Sequence, residues 1–469
     1  MTLGLLSSLG AQAYAAGLVV NDNDLRNDLA WLSDRGVIHL SLSTWPLSQE
    51  EIARALKKAK PSYSSEQVVL ARINQRLSAL KADFRVTGYT STDQPGTPQG
   101  FGQTQPADNS LGLAFNNSGE WWDIHLQGNV EGGERISNGS RFNANGAYGA
   151  VKFWNQWLSF GQVPQWWGPG YEGSLIRGDA ARPMTGFLMQ RAEQAAPETW
   201  WLRWIGPWQY QISASQMNKY TAVPHTKIIG GRLTFSPFQS LELGASRIMQ
   251  WGGEGRPQSF SSFWDGFTGQ DNTGTDNEPG NQLAGFDFKF KLEPTLGWPI
   301  SVYGQMVGED EAGYLPSANM YLAGVEGHHA WGKNAVNWYV ETHDTRDDRS
   351  RTDYIYTHHI YKDGYYQQGY PLGDAMGGDG QLVAGKVELV TEDNQRWSTR
   401  LVYAKVNPEN QLINKAFPHS DTLKGVQLGW SGDVYKSVRL NTNLWYTNAD
   451  NSDSDDIGAS AGIEIPFSL

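Results

Sequence analysis

The sequence predicts a mainly β protein: an 18-stranded antiparallel transmembrane β-barrel with a small N-terminal helical bundle at its periplasmic mouth. Three observations lead to this fold class. Apolar residues alternate with polar ones from Phe84 to the last residue, and the gaps between the alternating segments are long and short in turn. The composition also departs from that of soluble proteins.

The composition excludes several classes of protein. Only 39% of the residues are hydrophobic and the mean hydropathy is −0.51, although 12% are aromatic. Charged residues make up 18%, against about 25% in an average soluble protein. Such a chain is too aromatic for a disordered protein, and it lacks the run of about 18 apolar residues that a membrane-spanning helix needs. The net charge of −12 argues against a nucleic-acid partner, and the absence of cysteine excludes disulfide and thiolate chemistry.

Residues 1–15 form the first of three predicted regions. The segment MTLGLLSSLGAQAYAAG has a short apolar core and the small-x-small pattern Ala13-Tyr14-Ala15, which is typical of the end of a secretory signal peptide. Because the basic residues that open such a peptide are missing, we expect a truncated signal, with the mature chain beginning near Ala16 or Gly17. A flexible apolar tail is the alternative interpretation.

Residues 16–83 are predicted to form the helical bundle. Between Asp24 and Arg35, leucine and alanine recur at three- and four-residue spacing, and a glycine follows as a helix stop. Two further helices are expected behind capping-box motifs that begin at Ser48 and Ser64. The helical periodicity ends near Asp83, which therefore marks the predicted boundary with the barrel.

Residues 84–469 are predicted to form the barrel, because the hydrophobic period changes there from helical to two. In the segments that begin at Asp123 and Phe286, apolar and aromatic residues alternate with Asp, Asn, Lys and His. One face of each strand is thus wide and aromatic, and the other is polar. An apolar face against lipid and a polar face toward the lumen explain both the modest hydrophobic total and the missing apolar runs.

Eighteen strands are predicted, with long connections after odd-numbered strands and tight ones after even-numbered strands. The expected strand starts are Phe84, Ser110, Trp121, Ala147, Trp157, Thr199, Gln209, Lys227, Ser240, Leu283, Ser301, Ala318, Lys333, Leu382, Arg396, Thr422, Ser437 and Ala459. The longest connections are expected at 162–197, 251–282 and 343–381. An even strand number places both barrel termini in the periplasm and the long loops outside the cell.

Two segments carry a resemblance to a known family. The helical segment DLRNDLAWLSDRGVI and the loop segment QVPQWWGPGYEGSLI are similar to those of the Wzi-type capsule-assembly family, outer-membrane proteins of encapsulated enterobacteria. The resemblance covers the whole mature chain. It implies a place in the Gram-negative outer membrane, an 18-stranded barrel with a periplasmic bundle, and a lectin that attaches capsular polysaccharide to the cell surface during capsule assembly. Composition and spacing alone predict only the barrel and the bundle.

Three long external loops are candidate polysaccharide-binding sites, because sugar rings stack on aromatic side chains and acidic sugars offer carboxylates to arginine. The candidate residues are Trp166, Trp167 and Arg177 in the third loop, Trp251, Arg256, Trp264 and Asp265 in the fifth, and Arg346, Arg349, Arg351, Tyr354 and Tyr356 in the seventh. The other interpretation is that these loops fold inward, where their aromatic residues form a core and their charges are paired or solvated.

The seventh loop contains the densest cationic cluster. Arg346, Arg349 and Arg351 lie close together beside a run of tyrosines, an arrangement suited to binding an acidic capsule. Three neighbouring aspartates, the first of which is Asp344, offer the competing outcome of neutralising these arginines within the loop.

No metal site and no cofactor is predicted. The pairs His328-His329 and His358-His359 look like metal ligands, but adjacent side chains on a strand point to opposite faces, and no carboxylate spacing completes a site. The chain shows no local nucleophile motif, so we do not predict an enzyme.

The sequence leaves three functional classes open, of which an outer-membrane hydrolase has the least support because no local nucleophile motif is present. A surface-polysaccharide lectin is favoured by the aromatic loops and by the resemblance. The alternative is an outer-membrane channel for saccharides or other small solutes, because so many strands enclose a wide polar bore, which the bundle and the loops are expected to occlude. The expected partners are acidic capsular polysaccharide, outer-membrane lipid and, during biogenesis, the barrel-assembly machinery. No nucleic-acid partner is expected, and the barrel is expected to be a monomer.

Overall fold

Eighteen antiparallel strands close into one barrel, as the sequence predicts. The computed structural model describes residues 17–134, 141–267, 278, 280–312, 315–435, 437–451 and 455–469, so the predicted signal peptide lies outside the described residues. The first and last strands pair from Phe84 with Phe467 to Ser91 with Ser460, and this pairing closes the barrel.

The barrel strands are numbered β1–β18. Their bounds are Phe84–Ser91, Ala107–Ser118, Trp122–Glu134, Tyr148–Phe153, Gln156–Gly161, Thr185–Arg191, Trp208–Gln216, Lys227–Phe238, Leu241–Trp251, Gly280–Lys291, Ile300–Ala312, Leu315–Trp331, Asn334–Asp344, Gly380–Val390, Arg396–Val406, Asp421–Tyr435, Val438–Ala449 and Asp456–Phe467. The two-residue strand Phe142–Asn143 also pairs with β3 and belongs to the same position in the barrel as β4.

The alternation of side chains follows the predicted pattern. On β3, Ile124 and Leu126 are exposed, whereas Asp123 and His125 are buried. On β10, the outward Phe286 alternates with inward charged residues in the same way. The barrel therefore presents an apolar outer surface and a polar lumen, the arrangement that lipid outside and polar groups inside require.

The predicted start of the sixth strand at Thr199 is wrong. The sixth strand is β6, Thr185–Arg191, and the chain then forms a connection at 192–207 that contains the short 3-10 helix Arg203–Ile205. In β6, Phe187 faces outward and Leu188 inward, so apolar residues occupy both faces and conceal the period of two. The sixth connection is consequently longer than predicted.

The connections define two ends of the barrel. The chain enters and leaves at the terminus end. The opposite end is the loop end, where the described residues of the connections L1 (92–106), L2 (141–147), L3 (162–184), L4 (217–226), L5 (252–267 and 278), L7 (345–379) and L8 (407–420) lie. The alternation of long and short gaps fails once at this end, because β11 and β12 continue until only residues 313–314 connect them. The described part of L5 contains the helix α4, Phe260–Phe267, and α5, Glu293–Leu296, lies in a connection at the terminus end.

The N-terminal segment folds into three helices, α1 (Asn23–Asp34), α2 (Gln49–Lys57) and α3 (Ser64–Leu80). The side chain of Asp22 caps α1 by accepting a hydrogen bond from the backbone N–H of Leu25. The capping box of α3 uses Glu66 in place of the predicted Gln67, because this helix begins one residue earlier than expected. Within the described residues, no helix has both the length and the apolar character needed to cross a bilayer.

The helices lie inside the lumen at the terminus end. The indole N–H of Trp31 on α1 donates to the carbonyl of His329 on β12, and the carboxylate of Asp34 accepts from the hydroxyl of Ser301 on β11. Leu29, Trp31 and other apolar residues of the bundle form a buried core. The charged inward face of the barrel thus surrounds the helices, whose own apolar residues pack against one another.

Candidate functional site

L3 folds into the lumen, where its backbone is held by one carboxylate of the barrel wall. Glu341 on β13 accepts hydrogen bonds from the backbone N–H groups of Tyr171 (2.7 Å), Glu172 (3.0 Å) and Gly173 (3.2 Å). A Cβ on Gly173 would lie 2.5 Å from the ring of His343, so the close approach of loop and wall requires glycine here. The backbone of the segment QVPQWWGPGYEGSLI therefore packs directly against the barrel wall.

Two further contacts fix L3. The carboxylate of Glu172 forms a two-point ion pair with the guanidinium of Arg400 on β15, and both side chains are almost fully buried. Gln305 on β11 accepts from the backbone N–H of Leu175 and donates to the carbonyl of Trp167. L3 is thereby attached to three strands of the barrel wall, β11, β13 and β15.

The helical bundle and L3 meet in the middle of the lumen. Thr44–Trp45 of the bundle segment pairs as a short antiparallel strand with Trp166–Trp167 of L3. The guanidinium of Arg26 on α1 donates to the carbonyls of Pro169 and Gly170 in L3. Bundle and loop together thus form a plug that spans the lumen.

The plug contains the two tryptophans that were predicted to bind polysaccharide. Trp166 is 2% exposed and belongs to the bundle core, and Trp167 is fully buried beneath the loops. Their burial means that neither ring offers a face to a ligand in this conformation. Here the structure follows the alternative interpretation, in which external loops fold inward.

The tyrosines of L7 also form a core. The hydroxyls of Tyr356 and Tyr365 donate to the carbonyls of Leu175 and Ile176 in L3, and both rings are buried. Tyr356 is thus excluded from direct contact with a ligand, whereas Tyr354 remains 39% exposed. L7 lies over L3 and secures it from the loop end.

One aspartate, Asp344, pairs with two of the three arginines in the L7 cluster. Arg346 makes a two-point ion pair with Asp344, and Arg351 contacts the same carboxylate at 3.2 Å. The side chain of Arg349 is exposed and has no ion pair within the described residues. Internal neutralisation therefore accounts for two of the three arginines and leaves Arg349 available.

The candidates of L5 form a separate surface. Trp264 and Asp265 lie on the exposed side of α4, while Trp251 at the end of β9 is 9% exposed. Arg256 donates to the backbone carbonyl of Glu278 within the same loop. Among the described residues, L5 contacts L7 through Glu278, whose carboxylate approaches His358.

A cavity of about 220 Å³, here called the outer cavity, lies beneath L1, L3 and L7. It continues into a groove of about 530 Å³ that L2, L3 and L4 line, since Asn145, Arg182 and Pro183 border both spaces. Of the candidates predicted from the sequence, Arg177 lies in the outer cavity.

The walls of the outer cavity carry buried polar atoms without partners. Within the described residues, no hydrogen bond is made by Oγ1 of Thr104, Oε1 of Gln165, Nη1 of Arg177, Nε of Arg182 or Oδ1 of Asn21. Buried polar atoms are almost always hydrogen-bonded to protein, water or ligand, so such a concentration is unusual. Hydroxyl groups, which both donate and accept, are the chemical complement of this wall.

One cation of the outer cavity lacks a carboxylate partner among the described residues. Arg182 is paired with Glu131, but the guanidinium of Arg177 has no carboxylate partner among the described residues. Burial lowers the pKa of Arg177 and raises that of Asp179 to about 6. Both shifts reflect charges that water no longer solvates, and a bound carboxylate would relieve the cost at Arg177.

Thr104 and Gln165 border the outer cavity and were not predicted from the sequence. The available signal is the amide-rich run Gln103-Thr104-Gln105 in L1, which has no apolar period and so belongs to neither a strand nor a helix. Amide and hydroxyl side chains in an external loop are suitable partners for sugar hydroxyls.

His358 and His359 have a carboxylate close to them, contrary to the prediction. These residues lie in a loop, and the carboxylate of Glu278 approaches their Nε2 atoms at 3.5 and 3.7 Å. However, Nδ1 of His358 accepts hydrogen bonds from the backbone N–H groups of Ile360 and Tyr361, and burial lowers the pKa of this histidine to about 4. Its single ring proton therefore lies on Nε2, which is thus a donor toward Glu278 rather than a metal ligand.

The fold and the cavity define a class of protein. This chain is an outer-membrane β-barrel whose lumen is filled by a plug and whose loop end contains a polar cavity.

Comparison with known proteins places the chain within a family. The family model described as capsule assembly protein Wzi matches residues 81–460, so the chain belongs to the Wzi capsule-assembly family. A solved Escherichia coli structure is 89% identical, covers 97% of this chain and 100% of its own, and superposes with a TM-score of 0.93. That protein, Wzi, is described as an outer-membrane, carbohydrate-binding β-barrel involved in group 1 capsule assembly. A Klebsiella pneumoniae protein, described as an uncharacterized 55.8 kDa protein in the cps region, is 92% identical over 469 residues, which are 100% of this chain and 93% of that protein.

Proposed function

We propose that this protein is an outer-membrane lectin that binds capsular polysaccharide in the outer cavity and attaches it to the cell surface during capsule assembly. The observation that carries the proposal is the group of buried polar atoms without partners in the cavity wall. The carbohydrate binding described for the Escherichia coli relative supports the same ligand class. The protein acts by binding and not by catalysis.

The proposed polysaccharide is acidic. Arg177 offers a buried guanidinium without a carboxylate partner among the described residues, and Arg349 offers an exposed one at the loop end. Arginine binds carboxylates through two parallel hydrogen bonds, which neutral sugars cannot match. An acidic ligand thus fits the cavity despite the net charge of −12.

The proposed surroundings are outer-membrane lipid, into which the barrel-assembly machinery inserts a monomer with its loop end outside. The outward apolar side chains, among them Leu113, Leu126, Phe187 and Leu401, support the contact with lipid. Because β1 and β18 pair with each other, the barrel needs no second chain to satisfy its edge strands.

The substitution Gln165→Leu tests the cavity. It removes an amide of the wall at similar volume, so binding should weaken by the value of a hydrogen bond, about 0.5–1.5 kcal/mol or roughly 2- to 12-fold in Kd. The measurement is the Kd of the purified barrel for isolated capsular polysaccharide, together with the ratio of cell-bound to released capsule.

Gln209→Leu is the matched control, because Gln209 is also a buried amide but lies on β7, outside the outer cavity. Equal binding by the wild type and the folded Gln165→Leu protein would contradict the proposed site. Equal losses in both variants would point to a general change of the barrel instead.

A further inference from the structure

A second polar cavity, here called the lumenal cavity, lies between the plug and the barrel wall. Its volume is about 520 Å³, and it is lined by the helical segment on one side and by inward residues of β1–β4 and β14–β18 on the other. Lys81 and Asp83 border it at the terminus end, and Gln94 and Gln99 of L1 border it toward the loop end. A polar space thus remains between the plug and this part of the barrel wall.

The arginines of the lumenal cavity are mostly paired. Arg76 contacts Asp22 at 2.6 Å, and Arg439 is paired with Asp24. Arg85 has only a long contact, 4.0 Å from Glu464.

Lys386 is the exception. It projects from β14 into the cavity, is only 9% exposed, and makes no hydrogen bond or ion pair within the described part of the chain. The ammonium of Lys386 borders the cavity and acts electrostatically on the carboxylate of Asp24, without a direct contact between them. The cavity therefore contains a cation that makes no direct ion pair within the described residues.

The surroundings of Lys386 contain both charged and polar groups. Arg400 lies directly opposite it on β15, and Glu388, two residues further along β14, borders the cavity. The hydroxyl of Ser398 lines the neighbouring wall, whereas the amide of Gln427 is already bonded to Arg400 and Gln99. Elsewhere in the cavity, Gln49 of the bundle contributes a buried Oε1 that makes no hydrogen bond within the described residues.

We propose that the lumenal cavity is a second binding site, which takes a carboxylate-bearing sugar with Lys386 as the group that binds the carboxylate. The ammonium pairs with the carboxylate, and the amides and hydroxyls around it bind the hydroxyl groups of the sugar ring. This site uses residues different from those that carry the proposed function of the outer cavity, so each can hold or fail without the other.

The two cavities are separated by a thin partition. Asn21, Gly102 and Gln105 border both spaces. The carboxylate of Asp179 in L3 accepts hydrogen bonds from the side chain of Asn21 at 2.9 Å and from the backbone N–H of Gly102 at 2.8 Å. These two bonds connect L3, the bundle segment and L1 at the partition. The lumenal site is therefore distinct from the outer cavity, and its border residues at the terminus end mark the side nearest the periplasm.

The test is a ligand-observed NMR titration of the full-length, detergent-solubilised protein with sodium glucuronate, and with glucose as the neutral counterpart. The wild type should bind glucuronate at least tenfold more tightly than glucose. Lys386→Gln should reduce this preference at least tenfold, because glutamine retains hydrogen bonding and loses the charge. Lys386→Arg should retain the preference. Lys405→Gln is the matched control, since Lys405 is exposed at the end of β15 and outside the cavity.

Equal affinity of the wild type for glucuronate and glucose would overturn the proposal, as would an undiminished preference in the folded Lys386→Gln protein. The comparison of glucuronate with glucose is repeated in the Arg177→Gln protein, because glucuronate bound by Arg177 in the outer cavity would give the same preference. Arg177→Gln separates the two sites, because it should weaken polysaccharide binding in the outer cavity and leave the glucuronate preference dependent on Lys386.

Discussion

At the scale of single residues, buried charges decide how the loops are held. Glu172 and Arg400 pair inside the barrel with 1% and 3% of their side chains exposed, and Glu341 binds three backbone N–H groups of the same loop. Removing one partner of a buried ion pair lowers the stability of the protein strongly, because the other charge stays buried without a partner. Such residues therefore specify one position of L3.

We expect Glu172→Gln to destabilise the protein by about 3–5 kcal/mol, since it leaves the guanidinium of Arg400 buried without its carboxylate. The measurement is the thermal midpoint of the heat-modifiable shift on gel electrophoresis. Glu392→Gln serves as the control, because it breaks the exposed pair with Lys333 and should leave the midpoint unchanged. An unaltered midpoint for Glu172→Gln would show that the ion pair does not anchor the loop.

At the scale of elements, L7 is held over L3 by packing that includes buried carboxylates. Burial raises the pKa of Asp353 to about 7, and the neighbouring carboxylates of Asp379 and Glu409 add to the effect. The pKa of Asp379 is raised to about 6, again by burial first. Arg346 is the cation that acts on Asp379, and its own ion pair is with Asp344. L7 therefore contains a group of acids that resists full ionisation.

This group should make the packing of L7 depend on pH. The pKa of Asp353 is about 7 in the folded loop, against an ordinary value of 3.8. The folded loop therefore binds protons more readily and loses stability as the pH rises between these two values. Amide hydrogen exchange in L7, corrected for its intrinsic pH dependence, should be faster at pH 8 than at pH 5. Asp353→Asn should reduce the difference. Equal protection of wild-type L7 at both pH values would contradict the expectation.

At the scale of the whole molecule, bundle, loops and wall close the lumen together. The bundle occupies the terminus end, L3 occupies the middle, and the two pair through Thr44–Trp45 and Trp166–Trp167. The lumenal cavity lies beside them, and the hydrogen bonds to Asp179 form the partition at its border with the outer cavity. The helical bundle and L3 thus occupy a lumen that would otherwise be as wide as that of a porin.

We therefore expect the purified protein to give no steady porin-like conductance in planar bilayers. Removal of residues 17–82 should produce current steps, because it deletes the bundle and joins its space to the lumenal cavity. Both proteins must first show the heat-modifiable mobility of a folded barrel. Steady conductance from the full-length protein would favour the channel interpretation.

The sequence alone determined the barrel and the bundle. Side-chain alternation depends only on the backbone of each strand, and helical spacing only on the helix, so both periods can be read without knowing any neighbour. The prediction of the sixth strand was wrong because β6 has apolar residues on both faces. The predicted alternation of long and short connections failed at β11 and β12, which are joined by a very short connection.

Only the tertiary structure decided which loop residues are buried and which border a cavity. The aromatic motif Trp166-Trp167 looks like a sugar platform in the sequence, but its pairing with residues 44 and 45 buries it. The walls of the outer cavity come from distant segments, as the contact between Asn21 and Asp179 across 158 residues shows. Whether a polar atom finds a partner depends on such long-range contacts, which no local period encodes. The unpaired atoms of Gln165 and Arg177, and the ammonium of Lys386, could therefore be recognised only in the folded chain.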